Sequence, residues 1–258
     1  MPSDAFDQTK TALLTLGGQR VWSLMVTLFG DLAQADGSSI DGPVLSAVMT
    51  EMDVRPEAVR VALHRLRNDG WIVSQKQGRT RRHALTPTSR QETLRASARI
   101  YSSPNAQEPG WQLLVLEDSG TVPREEMAEQ GFAPLVPRVF LGSAASRPPK
   151  NALVLSGGQT PDWLREQIGA QMLEAEYSAL LPILKHASTS LDSGTLDALQ
   201  TTVLRCLIVH NWRRIVLRHP TLPRALLPKD WPGHSCHVLV DTLLNSFPRP
   251  SPDEILPS

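Results

Sequence analysis

The sequence predicts a multidomain α+β protein, and three observations predict it. Helical apolar periodicity fills both ends of the 258-residue chain, short β-like runs cluster between about residues 111 and 155, and a polar, Pro/Gly-punctuated stretch over Ser102–Gly110 divides the two textures. A chain of this length buries a substantial core without staples and holds two or three small domains. We place these at residues 12–102, 110–170 and 171–247.

The first helix runs from Gln19 to Ala33, with Val21, Trp22, Leu24, Met25, Leu28, Phe29 and Leu32 as an apolar stripe after Gly17-Gly18. A Gly/Ser/Asp loop over Asp36–Gly42 leads to Pro43, a favoured first helical residue, and a short helix to about Glu51 with Val44, Leu45, Val48 and Met49 inward. Met52–Arg55 is a tight turn. Pro56 then opens a third helix, which Gly70 ends as a left-handed cap. On this helix Val59, Ala62, Leu63 and Leu66 share the buried face. The opposite face is Glu57, Val61, His64 and Asn68, with Arg60 and Arg67 along one margin and Arg65 along the other. Trp71–Thr86 follows as two β-like runs around a turn at Lys76-Gln77-Gly78-Arg79, with Arg81 and Arg82 on the return strand. Two helices, a turn, an amphipathic helix and a basic hairpin describe a winged helix-turn-helix, whose Pro56–Asp69 helix would enter a major groove.

Charge distribution agrees. Lys+Arg and Asp+Glu both number 26, so the whole chain is neutral, yet Arg55–Arg99 holds eleven basic residues against Glu57, Asp69 and Glu92. A basic block inside a neutral chain is the electrostatic footprint of a nucleic-acid-binding module. An exposed valine between arginines suits a groove, where Arg can chelate guanine, an aliphatic group can touch a thymine methyl and lateral cations can take phosphates. The expected DNA contacts are Arg55, Glu57, Arg60, Val61, His64, Arg65 and Arg67 on the turn and helix, and Lys76, Arg79, Arg81 and Arg82 on the wing.

Ser89-x-x-Glu92 reads as a capping box opening a helix that ends near Tyr101. Beyond the linker, Gln112–Leu116, Leu135–Leu141 and Ala152–Leu155 are β-like, with helices over Pro123–Gln130 and over Pro161–Ile168, the latter capped by Thr160. This pattern predicts a small α+β unit with a split βαβ arrangement. The remainder is helical: Leu173–Lys185, Leu196 to about His219 with Leu199, Val203, Leu207 and His210 inward, and His237 to about Ser246, followed by a loose Pro-rich tail from Pro248.

Apparent catalytic motifs do not assemble. Leu155-Ser156-Gly157-Gly158-Gln159 spells an ATPase signature peptide, but none of the five lysines follows a glycine, so no Walker A loop accompanies it and it reads as a strand-to-helix turn. Asp118-Ser119-Gly120 reads as a turn without a triad. His234, Cys236 and His237 lack the spacing of a metal site, and His210 reads as a hydrogen-bonded core histidine. Cys206 and Cys236 make neither a disulfide framework nor a zinc finger. No leader and no 18-residue apolar run occurs, so a soluble cytoplasmic protein with no membrane partner, metal or cofactor is expected.

The stretch from Val209-His210-Asn211-Trp212-Arg213-Arg214 through Leu217-Arg218-His219-Pro220, Leu222-Pro223, Leu226-Leu227-Pro228 and Asp230-Trp231-Pro232-Gly233 resembles the C-terminal signature of PaaX-type transcriptional repressors. Val59–Leu66 and Gly70-Trp71-Ile72 are similar to that family's recognition helix and wing entry. The resemblance spans about residues 13–246, is weakest in the middle, and departs at His219, where the family pattern has Asp. It implies a winged helix, a ferredoxin-like central domain and an all-helical C-terminal domain. It also implies a homodimer on palindromic operator DNA, a role in phenylacetate-type catabolism, and release by an aryl-acyl-CoA effector such as phenylacetyl-CoA. For that effector, seated between the central and C-terminal domains, Trp111, Arg138, Trp163, Trp212, Arg213 and Arg214 are the candidates, as aromatic slot and phosphate ligands. Two other readings stay open: a winged-helix interaction adaptor, and a metal-dependent nuclease on the central domain, whose three expected strands contain no Asp or Glu.

Overall fold

The structure is a computed structural model that describes residues 2–18, 20–104, 106, 109–117 and 124–255. Gln19, the Asp118–Gly120 turn and Pro123 lie outside the described residues. Helix α1 (Pro2–Thr15) comes first, mostly ahead of the expected first domain, and turns Phe6, Thr9 and Leu13 inward. Helix α2 (Val21–Leu32) buries Leu24, Met25, Leu28 and Phe29 as its periodicity requires. Inside the expected Asp36–Gly42 loop lies a two-residue strand, β1 (Ile40–Asp41), followed by α3 (Gly42–Glu51) and α4 (Pro56–Asn68), both with proline in the first turn.

Helix α4 ends in a Schellman motif. The Trp71 and Gly70 amides donate to the Leu66 and Arg67 carbonyls at 2.8 and 3.1 Å, with Gly70 at φ 70°, where a side chain would be strained. Strands β2 (Ile72–Gln77) and β3 (Thr80–Leu85) form the hairpin through a two-residue turn, and β1 adds to β3, giving the antiparallel order β1-β3-β2.

Helix α5 (Pro87–Ile100) is capped by Thr86 rather than by Ser89. Pro87 presets the first helical φ. The Ser89 Oγ–H instead donates to the Trp71 carbonyl at 2.6 Å, and Thr86 Oγ1–H donates to the Gly70 carbonyl at 2.8 Å. Both bonds tie the start of α5 to the end of α4.

The central unit contains β4 (Trp111–Val115), α6 (Arg124–Glu129), β5 (Phe132–Val136), β6 (Val139–Ser143) and β7 (Leu153–Ser156), in the antiparallel order β5-β6-β4-β7. The expected single run over Leu135–Leu141 is two strands, because Pro137-Arg138 reverses the chain with Arg138 at φ 67°. Strand β6 lies between β4 and β5, the pair that flanks α6, and residues 144–152 return to β7 without a helix. One sheet face packs Leu114, Phe132 and Phe140 on Met127 of α6; Ala133 and Leu141 face the main core. Helix α7 (Asp162–Gly169) has Pro161, not Thr160, at its N-cap, and Thr160 is buried instead.

Helices α8 (Glu174–Ser190), α9 (Ala198–Val216) and α10 (Pro232–Ser246) follow, the first running five residues beyond the expected end and the last starting five residues early at a proline. A capping box of Asp197 and Gln200 starts α9. Every residue from Thr201 to Trp212 on α9 is buried, because α1, α2, α3, α5, α8 and α10 surround it. A 3₁₀ turn (Arg224–Leu226) precedes α10. The tail is held rather than loose: α11 (Pro252–Ile255) packs on α9 with Ile255 buried.

The buried ion pair of this core is fully partnered, and its buried histidine is bonded through one ring nitrogen. Arg205 of α9 makes a two-pronged contact with Asp31 of α2, its Nε and Nη2 each 3.0 Å from a carboxylate oxygen, and its Nη1 donates to the Leu244 and Phe247 carbonyls. Tyr101 Oη and Arg249 Nη2 complete the acid's shell at 3.0 and 3.1 Å. Burial alone would raise the Asp31 carboxyl, but Arg205, with Arg249 and Tyr101, holds it below the usual carboxylate value. His210 Nδ1 lies 3.1 Å from Thr27 Oγ1, and burial, with Arg213 and Arg214 nearby, pushes its imidazole down to about 3.

Asp31→Asn should cost about 3–5 kcal/mol in urea denaturation, the loss expected when one partner of a buried pair goes. A loss within about 0.5 kcal/mol, the range of surface substitutions, would contradict this pairing. The folded imidazole of His210 ionises below its ordinary value of 6.5, so its contribution to stability is complete above that pH and is lost as pH falls toward 3. The urea midpoint of His210→Gln should therefore fall less steeply than that of the parent between about pH 6.5 and 4.

Candidate functional site

Helix α3, the four residues Met52–Arg55 and α4 place one amphipathic helix against the body with its outer face bare. The turn is closed by the Asp53 amide on the Thr50 carbonyl and the Val54 amide on the Met49 carbonyl, both 2.9 Å, with Asp53 at φ 59°. Val59, Ala62 and Leu66 anchor α4 inward, and Leu63 is half-buried beside them. Outward, Val61 is 70% exposed, more than any other large apolar side chain of the described residues. Burial is satisfied without it, and it stands between Glu57, His64 and Arg60, all exposed.

The cations around it differ in their commitments. Arg60 Nη2 lies 2.7 Å from Glu57 Oε1 in an exposed pair one turn apart, which orients the guanidinium more than it stabilises the helix. Arg65 lies over the Trp22 ring at 5.1 Å and 3.4 Å from Asp69, so its guanidinium is drawn toward α2 rather than standing free on the margin. Arg82 is held by Asp41 at 2.7 Å across the β1–β3 pair. Arg55, Arg67, Lys76, Arg79 and Arg81 are exposed and make no side-chain hydrogen bond or ion pair among the described residues. Arg67 of α4 and Arg81 of β3 flank one buried group, His83: burial and these two charges lower its pKa, and Ser74 Oγ lies 2.8 Å from its Nδ1. Helix and hairpin thus present cations on adjoining surfaces.

The six aromatic and basic candidates for a small-molecule site are not brought together. Arg213 donates to the Ser23 carbonyl and hydroxyl at 3.1 and 2.7 Å, and Arg214 donates to the Gly17 carbonyl, so both serve to hold α2 and its approach. Trp111 covers Gly157 so closely that a Cβ there would sit 2.1 Å from the ring, and its Nε1 donates to the Gly158 carbonyl. Arg138 occupies the β5–β6 turn, and Trp163 is 60% exposed on α7. Of the six, only Trp212 lines a cavity of about 500 Å³, with its Nε1 bonded to the Ile100 carbonyl at 2.9 Å.

That cavity is bounded instead by residues the periodicity analysis assigns to packing or leaves aside: Arg99, Tyr177, His219, Arg224 and Trp231. The available signal was their sequence context, since His219, Arg224 and Trp231 lie within the C-terminal signature and Arg99 ends the basic block. Among the described residues, no group of three His, Cys, Asp or Glu side chains is placed to hold a metal, and no helix is long and apolar enough to cross a membrane.

Comparison with known proteins gives concordant results. The PaaX-like protein model matches residues 20–88, which contain α2 to β3, and the PaaX-like protein C-terminal domain model matches residues 169–255. The transcriptional repressor PaaX of Escherichia coli (strain K12) is 27% identical over 264 residues, covering 89% of this chain and 80% of that protein. The solved structure of the uncharacterized protein Rv0674 from Mycobacterium tuberculosis superposes with a TM-score of 0.57 at 20% identity, over 90% of this chain and 96% of that one, a likeness of fold. With both family models matched in order along one chain, this protein belongs to the PaaX-like family.

Proposed function

We propose that the protein is a cytoplasmic transcriptional repressor of a phenylacetate-type catabolic pathway, a DNA-binding regulator rather than an enzyme. Residues 12–102 form a winged helix-turn-helix, 110–170 a ferredoxin-like unit and 171–247 a helical effector and dimer domain. The observation that carries the reading is the outer face of α4, a bare Val61 bordered by Arg60, His64 and Arg67, beside a hairpin bearing Lys76, Arg79 and Arg81 without partners among the described residues. The identity to a transcriptional repressor over most of the chain supports it.

In this reading α4 enters the major groove, Arg60 and His64 meet base edges, and Val61 meets a thymine methyl. Arg55, Arg67 and the hairpin cations take phosphates. Glu57 limits the rotamers of Arg60 before DNA arrives. Arg65 and Arg82, engaged by Trp22 and Asp41, contribute less than the free cations. Two chains as a homodimer would set two α4 helices on palindromic half-sites about 34 Å apart. An aryl-acyl-CoA such as phenylacetyl-CoA would release them by preferring a geometry that no longer matches that spacing.

The test is fluorescence anisotropy with DNA from the promoter region of the protein's own gene, with and without phenylacetyl-CoA. Specific binding abolished by the thioester is expected; absence of specific binding would overturn the repressor reading. Arg60→Ala should lose about 1–3 kcal/mol of discrimination at particular base pairs. Arg81→Ala should weaken all sequences alike and reduce the salt slope by about one ion. Altered base preference in Arg81→Ala but not in Arg60→Ala would reverse the assigned roles of helix and hairpin.

A further inference from the structure

The hairpin buries a titratable side chain beneath the surface that would meet DNA. His83 is 4% exposed on β3, opposite Ile40 of β1 on one side and Ser74 of β2 on the other. Its Nδ1 lies 2.8 Å from Ser74 Oγ. Side chains alternate between the faces of a strand, so Leu85, His83 and Arg81 share one face, on which the first two are buried and Arg81 is exposed.

The charges that act on this imidazole come from three elements. Arg67 of α4 and Arg81 of its own strand oppose an imidazolium, while Asp41 of β1 favours one. Asp41 is shared with Arg82, at 2.7 Å. On β2, Ser74 contributes a hydroxyl, and Lys76, paired opposite Arg81, adds a cation one step farther along the same face. The two helices that also pack on β3 bring no free charge beside it. Glu51, at the C-terminal end of α3, is bonded to Lys10, and Arg90, the first charge of α5, is held by Asp36.

Arg67 and Arg81 are exposed and without a side-chain partner among the described residues, and such cations take phosphates. A phosphate that neutralises either one relieves part of the repulsion on His83. In the free protein burial, then Arg67 and Arg81, hold this imidazole below its ordinary value of 6.5, so it is neutral at neutral pH. Bound phosphates move it upward. Linkage is reciprocal: a group that gains protons on binding makes binding tighter as pH falls. Well above 6.5 the imidazole stays neutral in both states, and affinity does not respond to it.

We infer that His83 takes up a proton when DNA phosphates engage Arg67 and Arg81, so that proton concentration regulates the surface of α4 and the hairpin, and mild acid tightens its hold on DNA. The inference rests on the repressor reading, because it needs DNA on this face. His83 contacts no phosphate itself; it is a positioning residue that acts through the two arginines.

Fluorescence anisotropy with the promoter DNA at constant ionic strength, at about pH 7.5 and about pH 6, reads the effect, and the parent should bind about threefold more tightly at the lower pH. His83→Gln, which keeps an amide for Ser74 but cannot charge, should lose that gain. His64→Gln, which removes the exposed imidazole of α4, should keep it. Because a substitution at a buried site can unfold the hairpin, Arg67→Gln at an exposed site is the second variant: with less repulsion to relieve, its gain should be smaller than the parent's. No gain in the parent, or a gain undiminished in His83→Gln or in Arg67→Gln, would overturn the proposal. A gain lost in His64→Gln but kept in His83→Gln would assign the proton to α4 and overturn it equally. Specific binding indifferent to pH sinks this proposal alone, whereas no specific binding at either pH sinks the repressor reading and the proposal with it.

Discussion

The contact between Arg205 and Asp31 is the constraint around which the fold is arranged. A guanidinium and a carboxylate, 6% and 2% exposed, are tolerated only because each is saturated with partners. Those partners come from the end of α5 (Tyr101), the end of α10 (Leu244 and Phe247) and the tail (Arg249). Leaving any of these segments undocked would strand a charge in an apolar medium. The pair therefore makes correct assembly of four chain segments a condition for burying α9 at all.

That assembly joins the part that carries α4 to the part that carries the cavity. Helix α9 packs on α2 and α5 as well as on α8 and α10, and a single core runs from Phe6 to Ile255. The two family models match segments on either side of the central sheet, yet the structure gives them one interior. A change at the cavity wall is thus a change in the support of α2 and α5. The central sheet is more loosely attached, with its own small cluster around Phe132 and Phe140.

What is legible in the sequence is what depends on neighbours in the chain. The α4 face, its Gly70 stop and the hairpin follow from 3.6-residue and two-residue periods and from the conformational freedom of glycine. Thr86 displaces Ser89 as a cap because Ser89 Oγ is taken by Trp71, a tertiary contact that periodicity does not contain. The reversal at Pro137-Arg138 is hidden in an apolar run. Helix α1 is hidden by a polar composition whose inward residues, Phe6, Thr9 and Leu13, matter only against α8 and α9. Residue type alone points to the ligand candidates, three within the C-terminal signature and three, Trp111, Arg138 and Trp163, ahead of it. Arg213 and Arg214 proved to be engaged by backbone at Ser23 and Gly17, while the cavity gathers Arg99, Tyr177 and Trp231 from three segments distant in sequence. An Asp in one apolar stripe and an Arg in another were the sequence trace of the central pair, but only folding joins them.

Native-state amide hydrogen exchange tests most directly whether α2, on which α4 packs, and the C-terminal helices are one cooperative unit. The account predicts that the slowest amides of α2 and α9 open together, with equal free energies that match global unfolding. Opening of α2 at a distinctly lower free energy than α9 would contradict it, because the two halves would then be independent bodies.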